Sequence, residues 1–387
     1  MDVSYIINQL GEEPEKYFGA VSPPVVQTSN FCFPTVSALR QAFQDEETSY
    51  LYTRGNNPTT EILRKKLAAL AGAEDCLVFS SGVAAVTSAV MNGLKQGDHV
   101  VCVDKPYSWT KKLLTEYLPR FGVHTTFVDG RELKHIEKAL TPHTRLIYLE
   151  SPNSFTFELQ DIETVCTLAR SRNIRTVLDN SYCTSLGQQA IALGVDLEVH
   201  SGTKYYGGHS DVVCGIVLGS RQLIADMFRQ EFMGLGGILG PHESWLMIRS
   251  LRTLPIRMQQ IRQTTEQVVA FLHRHPKVEK ILYPFLPDFP QYELARRQMQ
   301  WCGGLFSVYF REMKRENVER FCEALQCFRM AVSWGGHESL IMPAVSFYPE
   351  DAIPEPPHAT GMIRFYIGLE TPELLIADIQ QALVHLV

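Results

Sequence analysis

The run His200-Ser201-Gly202-Thr203-Lys204-Tyr205-Tyr206-Gly207-Gly208-His209-Ser210-Asp211 carries the side chain best suited to covalent chemistry. The apolar stretch Val195 to Val199 delivers Lys204, flanked by hydroxyls and followed by a glycine pair, as expected of a lysine held at a strand end. Such an amine attacks a carbonyl carbon only if burial or nearby charge destabilises its ammonium, leaving free amine near neutral pH for a Schiff base. Taken alone, the run describes a surface lysine beside a turn equally well. The rest of the chain decides.

Polar residues close several other short apolar runs. Ser80-Ser81-Gly82-Val83 follows Cys76 to Phe79 and opens a helical pattern, where backbone N–H groups and the helix dipole favour a phosphate. Asp104-Lys105-Pro106-Tyr107 follows Val100 to Val103, Glu150-Ser151-Pro152-Asn153 follows Leu146 to Leu149, and Asp179-Asn180 follows Thr176 to Leu178. Ligands of parallel sheets bind beyond the carboxyl ends of the strands, so these residues converge on one place. A lysine, a strand-end aspartate, a phosphate-type turn, a tyrosine and a distant arginine form the set that pyridoxal phosphate requires. In that set Lys204 forms the Schiff base and Asp179 keeps the pyridine nitrogen protonated, making the ring an electron sink. Ser81, Gly82, Val83, Ser201 and Thr203 hold the phosphate, Tyr107 stacks on the ring, and the Arg364 fork grips an amino-acid carboxylate.

The elements that position these residues follow from periodicity. Between about 75 and 220, short apolar runs alternate with helical patterns such as Ala84 to Leu94 and Ile162 to Arg170, which predicts an α/β domain with a mostly parallel sheet covered on both faces. Residues 1–55, broken by Ser22-Pro23-Pro24 and Phe33-Pro34, read as an extended arm with one short helix near Val36 to Phe43. Its aromatic content predicts packing on another subunit. Asn57-Pro58 caps a helix whose charged stretch, Glu61 to Lys66, reads as a solvated face. Residues 56–245 form the large, cofactor-binding domain, and 246–387 a smaller α/β domain that opens on a long helical segment spanning Glu243 to Leu272.

Composition narrows the function classes. A net charge of −6 with no basic cluster argues against nucleic acid or an anionic membrane as partner. No stretch reaches the roughly 18 apolar residues of a span and the N-terminal residues lack a secretory pattern, so a cytoplasmic location is expected. The nine cysteines are scattered without paired spacing, which predicts no metal site.

Ordered motifs add a resemblance. Tyr52-x-Arg54 with Asn57-Pro58-Thr59, Ser81-Gly82-Val83-Ala84-Ala85, Asp179-Asn180, Ser201-Gly202-Thr203-Lys204-Tyr205 with Gly208-His209-Ser210-Asp211, Arg252-Thr253-Leu254, Ser333-Trp334-Gly335-Gly336 and Arg364 with Gly368-Leu369-Glu370 resemble the Cys/Met metabolism (trans-sulfuration) family of fold-type I pyridoxal phosphate enzymes. The likeness covers nearly the whole chain. It implies an aspartate aminotransferase-like fold with a seven-stranded-type sheet, a homotetramer built from dimers, and a phosphate site completed by Tyr52 and Arg54 of a neighbouring subunit. Tyr52 and Tyr107 join Lys204 as catalytic residues, and Ser333 and Trp334 join Arg364 as substrate-binding ones.

Ser333-Trp334-Gly335-Gly336 and Glu150-Ser151-Pro152-Asn153-Ser154 are most similar to the bacterial cystathionine β-lyase branch, which implies β-elimination of cystathionine to homocysteine, pyruvate and ammonia, within methionine biosynthesis. The alternative is a γ-lyase or γ-replacement enzyme of the same family; a third reading, a non-catalytic cofactor-binding protein, sits poorly with both Lys204 and Asp179 present. Val332 stands where γ-lyases of the family carry glutamate and β-lyases tyrosine. Asn153 and Phe155 depart from the commoner Asn-Pro pair after Glu-Ser-Pro, so Asn153 is given no cofactor contact. Tyr107-Ser108-Trp109-Thr110 replaces a Tyr-Gly-Gly-Thr string, which predicts a bulkier wall.

Overall fold

The computed structural model describes residues 1–311, 314–349 and 360–386. Three helices precede the first strand: α1 Val3–Asn8, α2 Val36–Gln44 and α3 Pro58–Ala71. α3 starts as its sequence demands: Asn57 caps the Thr59 N–H, Pro58 occupies the first turn, and Gly72 ends the helix in the left-handed conformation at φ 66°. The sequence pattern does not predict α1. Six residues are too short to hold a helix unaided, and its Ile6 and Ile7 are buried in the same core cluster as Ile62, Leu63 and Leu67 of α3. The beginning of the chain therefore packs on the chain's own core.

The main sheet has seven strands: β1 Asp75–Phe79, β2 His99–Val103, β3 His124–Val128, β4 Thr144–Glu150, β5 Arg175–Asp179, β6 Leu197–Ser201 and β7 Gly215–Gly219, in the order β1-β7-β6-β5-β4-β2-β3. From β3 to β6 all neighbours are parallel, while β7 runs antiparallel to both β6 and β1. That reversal points β1 the same way as β6. The turn after β1 and the lysine run after β6 consequently emerge on one edge. Every residue of β2 and β7 is buried, as befits strands covered on both faces.

α4 Gly82–Met91 begins directly at the end of β1, and α5 Ser108–Lys112 follows β2. The predicted long segment divides into helices Pro241–Leu251 and Leu254–His273, because Pro255 sits in the first turn of the second and ends the first. A second sheet contains β8 Val278–Leu282, β9 Leu305–Phe310, β10 Arg329–Met330, β11 Leu340–Pro343 and β12 Met362–Tyr366, in the order β10-β11-β12-β9-β8. Arg364 on β12 lies opposite Met342 of β11 and Ser307 of β9. Among the described residues no helix is long and apolar enough to cross a membrane.

Candidate active site

A cavity of about 820 Å³ opens between the carboxyl ends of the main-sheet strands and the second sheet. That volume lies in the range of roughly 300–1,000 Å³ usual for small-molecule sites. Ser81, Gly82, Val83, Tyr107, Asp179, Ser201, Thr203, Lys204, Ser333, Trp334 and Arg364 all line it. Tyr52 and Arg54 do not: both are exposed, with the Arg54 guanidinium 5.6 Å from the Tyr52 ring.

Lys204 sits on the floor. Its Nζ donates to Ser333 Oγ at 2.5 Å and lies 5.6 Å from the Trp334 ring. Burial, reinforced by the Arg364 charge, pulls its ammonium down to about 8, although Asp179 acts in the opposite sense. Gly335 makes the close packing possible. With φ at 93°, it brings the backbone so near that an added Cβ would stand 2.7 Å from Lys204 Cα.

Asp179 and Glu150 end neighbouring strands in register. Ser181 donates its N–H (3.0 Å) and its hydroxyl (2.6 Å) to Asp179 Oδ1, and no described residue donates to Oδ2, which is left to receive a proton donor from the cavity. Glu150 is buried and accepts from the Tyr107 N–H at 2.6 Å and the Ser154 N–H at 3.1 Å. Burial and the Asp179 charge push Glu150 up to about 8, against the pull of those two donors. Burial raises the Asp179 carboxyl too, opposed by the two Ser181 donors and the Lys204 charge, so the pair does not readily carry two negative charges. The motifs assign Glu150 no role, although its strand-end position is visible in the sequence. Burial, with Asp179 and Glu150, also raises the Tyr107 phenol, keeping it a proton donor near neutral pH.

The start of α4 supplies the anion cradle. Ser81 Oγ accepts the Ala84 N–H at 3.1 Å, and the first-turn N–H groups of Gly82 and Val83 have no helical acceptor. A side chain at 82 would meet Ser201 Cβ at 3.0 Å, so glycine keeps the cradle open. Thr203 contributes less than expected, because its hydroxyl is engaged with the Cys214 N–H and carbonyl. Cradle, lysine and an acceptor on Asp179 fit a phosphate-bearing pyridine aldehyde. Among the described residues, the cations that line the cavity are Lys204, Lys105 and Arg364.

At the other end, Arg364 Nη2 donates to the Ser333 carbonyl at 3.2 Å, while Nε and Nη1 find no acceptor among the described residues. Burial lowers this guanidinium to about 10, which still leaves it charged at neutral pH. Its face lies 4.6 Å from the Phe155 ring, a contact with no sequence signal beyond the noted departure at that position. Asn153 lines the cavity, yet its Oδ1 accepts from Thr156 Oγ1 (2.9 Å) and the Glu158 N–H (3.1 Å), so it serves its own loop. Val332 is exposed at the mouth.

Comparison with known proteins agrees with this geometry. Residues 5–384 match the model of the Cys/Met metabolism PLP-dependent enzymes. The chain is 40% identical over 380 residues to L-methionine gamma-lyase of Pseudomonas putida, covering 96% of this chain and 95% of that one. It is 39% identical to the L-methionine gamma-lyase of Treponema denticola, over 96% of this chain and 94% of the other. Cystathionine gamma-lyase of Bacillus subtilis is 37% identical, over 95% of each. These names favour the γ-lyase alternative over the β-lyase reading drawn from Ser333-Trp334-Gly335-Gly336. With a lysine, an aspartate and a phosphate cradle arranged as this cofactor needs, and with likeness along nearly its whole length, the chain belongs to the Cys/Met metabolism family of pyridoxal phosphate-dependent enzymes.

Proposed function

We propose that this carbon–sulfur lyase performs γ-elimination on a thioether amino acid of the methionine type, releasing a thiol, 2-oxobutyrate and ammonia. The observation that carries the reading is the identity of 37–40% with methionine and cystathionine gamma-lyases across nearly both full lengths. The cavity supplies the groups. Ser81, Gly82, Val83 and Ser201, with Thr203 beside them, would hold the phosphate, and Asp179 Oδ2 would accept from the pyridine nitrogen. When bound, pyridoxal phosphate would supply an electron sink for the carbons next to the substrate amine.

The remaining work falls to side chains. Arg364 offers Nε and Nη1 to the substrate carboxylate, a two-pronged contact that fixes Cα relative to Lys204. Lys204, with its ammonium lowered to about 8, removes the Cα proton as a general base; γ-elimination needs a second removal, at Cβ, which the same amine performs. Ser333 Oγ steers Nζ between the two positions. Tyr107, held neutral, returns a proton to the departing sulfur. Tyr52 and Arg54 of a second copy complete the phosphate site, the arm docks on that copy, and the assembly is a homotetramer.

Supplying the purified enzyme with methionine and with cystathionine tests the reaction. The expected products are 2-oxobutyrate from both, with methanethiol or cysteine. Pyruvate and homocysteine from cystathionine, with methionine untouched, would restore β-elimination and refute this proposal.

A further inference from the structure

The loop after β4 reaches across to the second sheet through one residue. Phe155 adopts φ 66°, a left-handed conformation uncommon for a bulky side chain. Three contacts hold it there. Ser307 Oγ, fully buried on β9, donates to the Phe155 carbonyl at 2.8 Å, and the Phe155 ring lies over the Arg364 guanidinium at 4.6 Å and edge-on to Phe347 at 5.4 Å. Ser307 and Arg364 are register partners on adjacent strands, so one strand pair both clips the Phe155 backbone and presents the cation to its ring.

We propose that Phe155 is a specificity-determining residue, which stiffens Arg364 for the substrate carboxylate and closes the neighbouring space to a second amino-acid head group. The proposal rests on the lyase reading above and narrows its substrate to a compact apolar thioether. A guanidinium desolvated on one face by an aromatic ring keeps its edge donors aimed, so less freedom is lost when a carboxylate binds. The cavity lining includes the apolar Phe347, Met342, Val332 and Trp109 beside the small polar Ser108, Ser154 and Thr156. Its other charged side chains are already engaged: Lys105 pairs with Glu158 at 2.7 Å, and Glu150 takes the Tyr107 and Ser154 N–H groups. The second ammonium and carboxylate of cystathionine would be stripped of water there without matched partners, whereas a methylthio group would not.

The test uses holoenzyme carrying Phe155→Gly, which relieves the left-handed strain and removes the ring, and Phe155→Leu, which keeps apolar bulk but not the cation contact. Two measurements are made: the Kd of norleucine, a methionine isostere that cannot eliminate, by calorimetry, and the ratio of kcat/KM for cystathionine to that for methionine. For Phe155→Gly, norleucine binding weakens about tenfold and the ratio rises about tenfold toward cystathionine. For Phe155→Leu, binding weakens about threefold while the ratio stays within about twofold of wild type. Norleucine affinity unchanged in Phe155→Leu, or an unchanged ratio in Phe155→Gly, overturns the proposal; should the glycine variant fail to fold, the leucine variant alone decides. Norleucine cannot react, so this affinity judges Phe155 even if wild-type products show that the wrong bond was assigned to the reaction.

Discussion

Two lysines of this chain are withdrawn from water, and they are prepared for opposite fates. Lys66, in the middle of α3, is completely buried, and its three ammonium hydrogens meet three acceptors: Ile6 O at 2.9 Å, Ile7 O at 3.2 Å and Glu12 Oε1 at 3.0 Å. Burial lowers its pKa, and Glu12 opposes that shift. Lys204 has one hydroxyl acceptor, forms no salt bridge with a described residue, and faces the repulsive charge of Arg364. Burial alone therefore does not make a reactive amine. What matters is how much the pocket compensates the ammonium: full satisfaction yields a rivet for the N-terminal helix, and deliberate under-satisfaction yields a base.

Exchanging the fates of the two lysines breaks the comparison most severely at Lys204. In Lys204→Ala, oxoacid release falls about a thousandfold or more and the visible absorption of the bound cofactor is lost, while the far-ultraviolet circular dichroism of the fold is kept. Turnover within tenfold of wild type would remove Lys204 from the chemistry. In Lys66→Met the loss appears in stability instead: Glu12 keeps only Arg252, at 3.0 Å, and urea unfolding should show about 3 kcal/mol lost, with kcat of the folded enzyme within about twofold. A large fall in kcat without loss of stability would show that Lys66 is not merely structural. The smallest effect sharpens the contrast by titration. Free amine at Lys204 grows as pH rises through about 8, so the rate at which apoprotein takes up pyridoxal phosphate should increase about tenfold between pH 7 and pH 9. A rise of about a hundredfold over that interval would mean that Lys204 keeps the ordinary lysine value, and a flat rate would mean that its free amine does not limit uptake.

The same contrast separates what neighbouring residues encode from what only packing supplies. Lys204, Asp179 and Ser81 are legible in the sequence because strand-end chemistry is local: a turn of given composition after an apolar run puts its side chains in one place whatever lies elsewhere. Lys66, by contrast, sits in a charged stretch that reads wrongly as a solvated face. Its two carbonyl acceptors come from residues about sixty positions earlier, on a helix whose stability depends on packing and leaves no periodic trace. Glu150 stands in view at a strand end, yet only the register that sets it beside Asp179 reveals its role. Phe155 is visible as a departure from the family pattern, but its contact with Arg364 joins two sheets and has no counterpart in sequence spacing. For the choice between β- and γ-elimination, the short strings at Ser333 and Glu150 are a weaker guide than likeness along the full chain.

Ser333 is the described residue that binds both chemical ends of the site. Its backbone is left-handed at φ 75°, its hydroxyl accepts from Lys204, and its carbonyl accepts from Arg364. On the roles proposed above, base and carboxylate grip are thereby geared together, and displacing one displaces the other. Of the lip positions, Val332 and Trp109 take no part in these two hydrogen bonds, so a change there would reshape the mouth and leave the gearing intact, whereas one at Phe155 would also loosen Arg364.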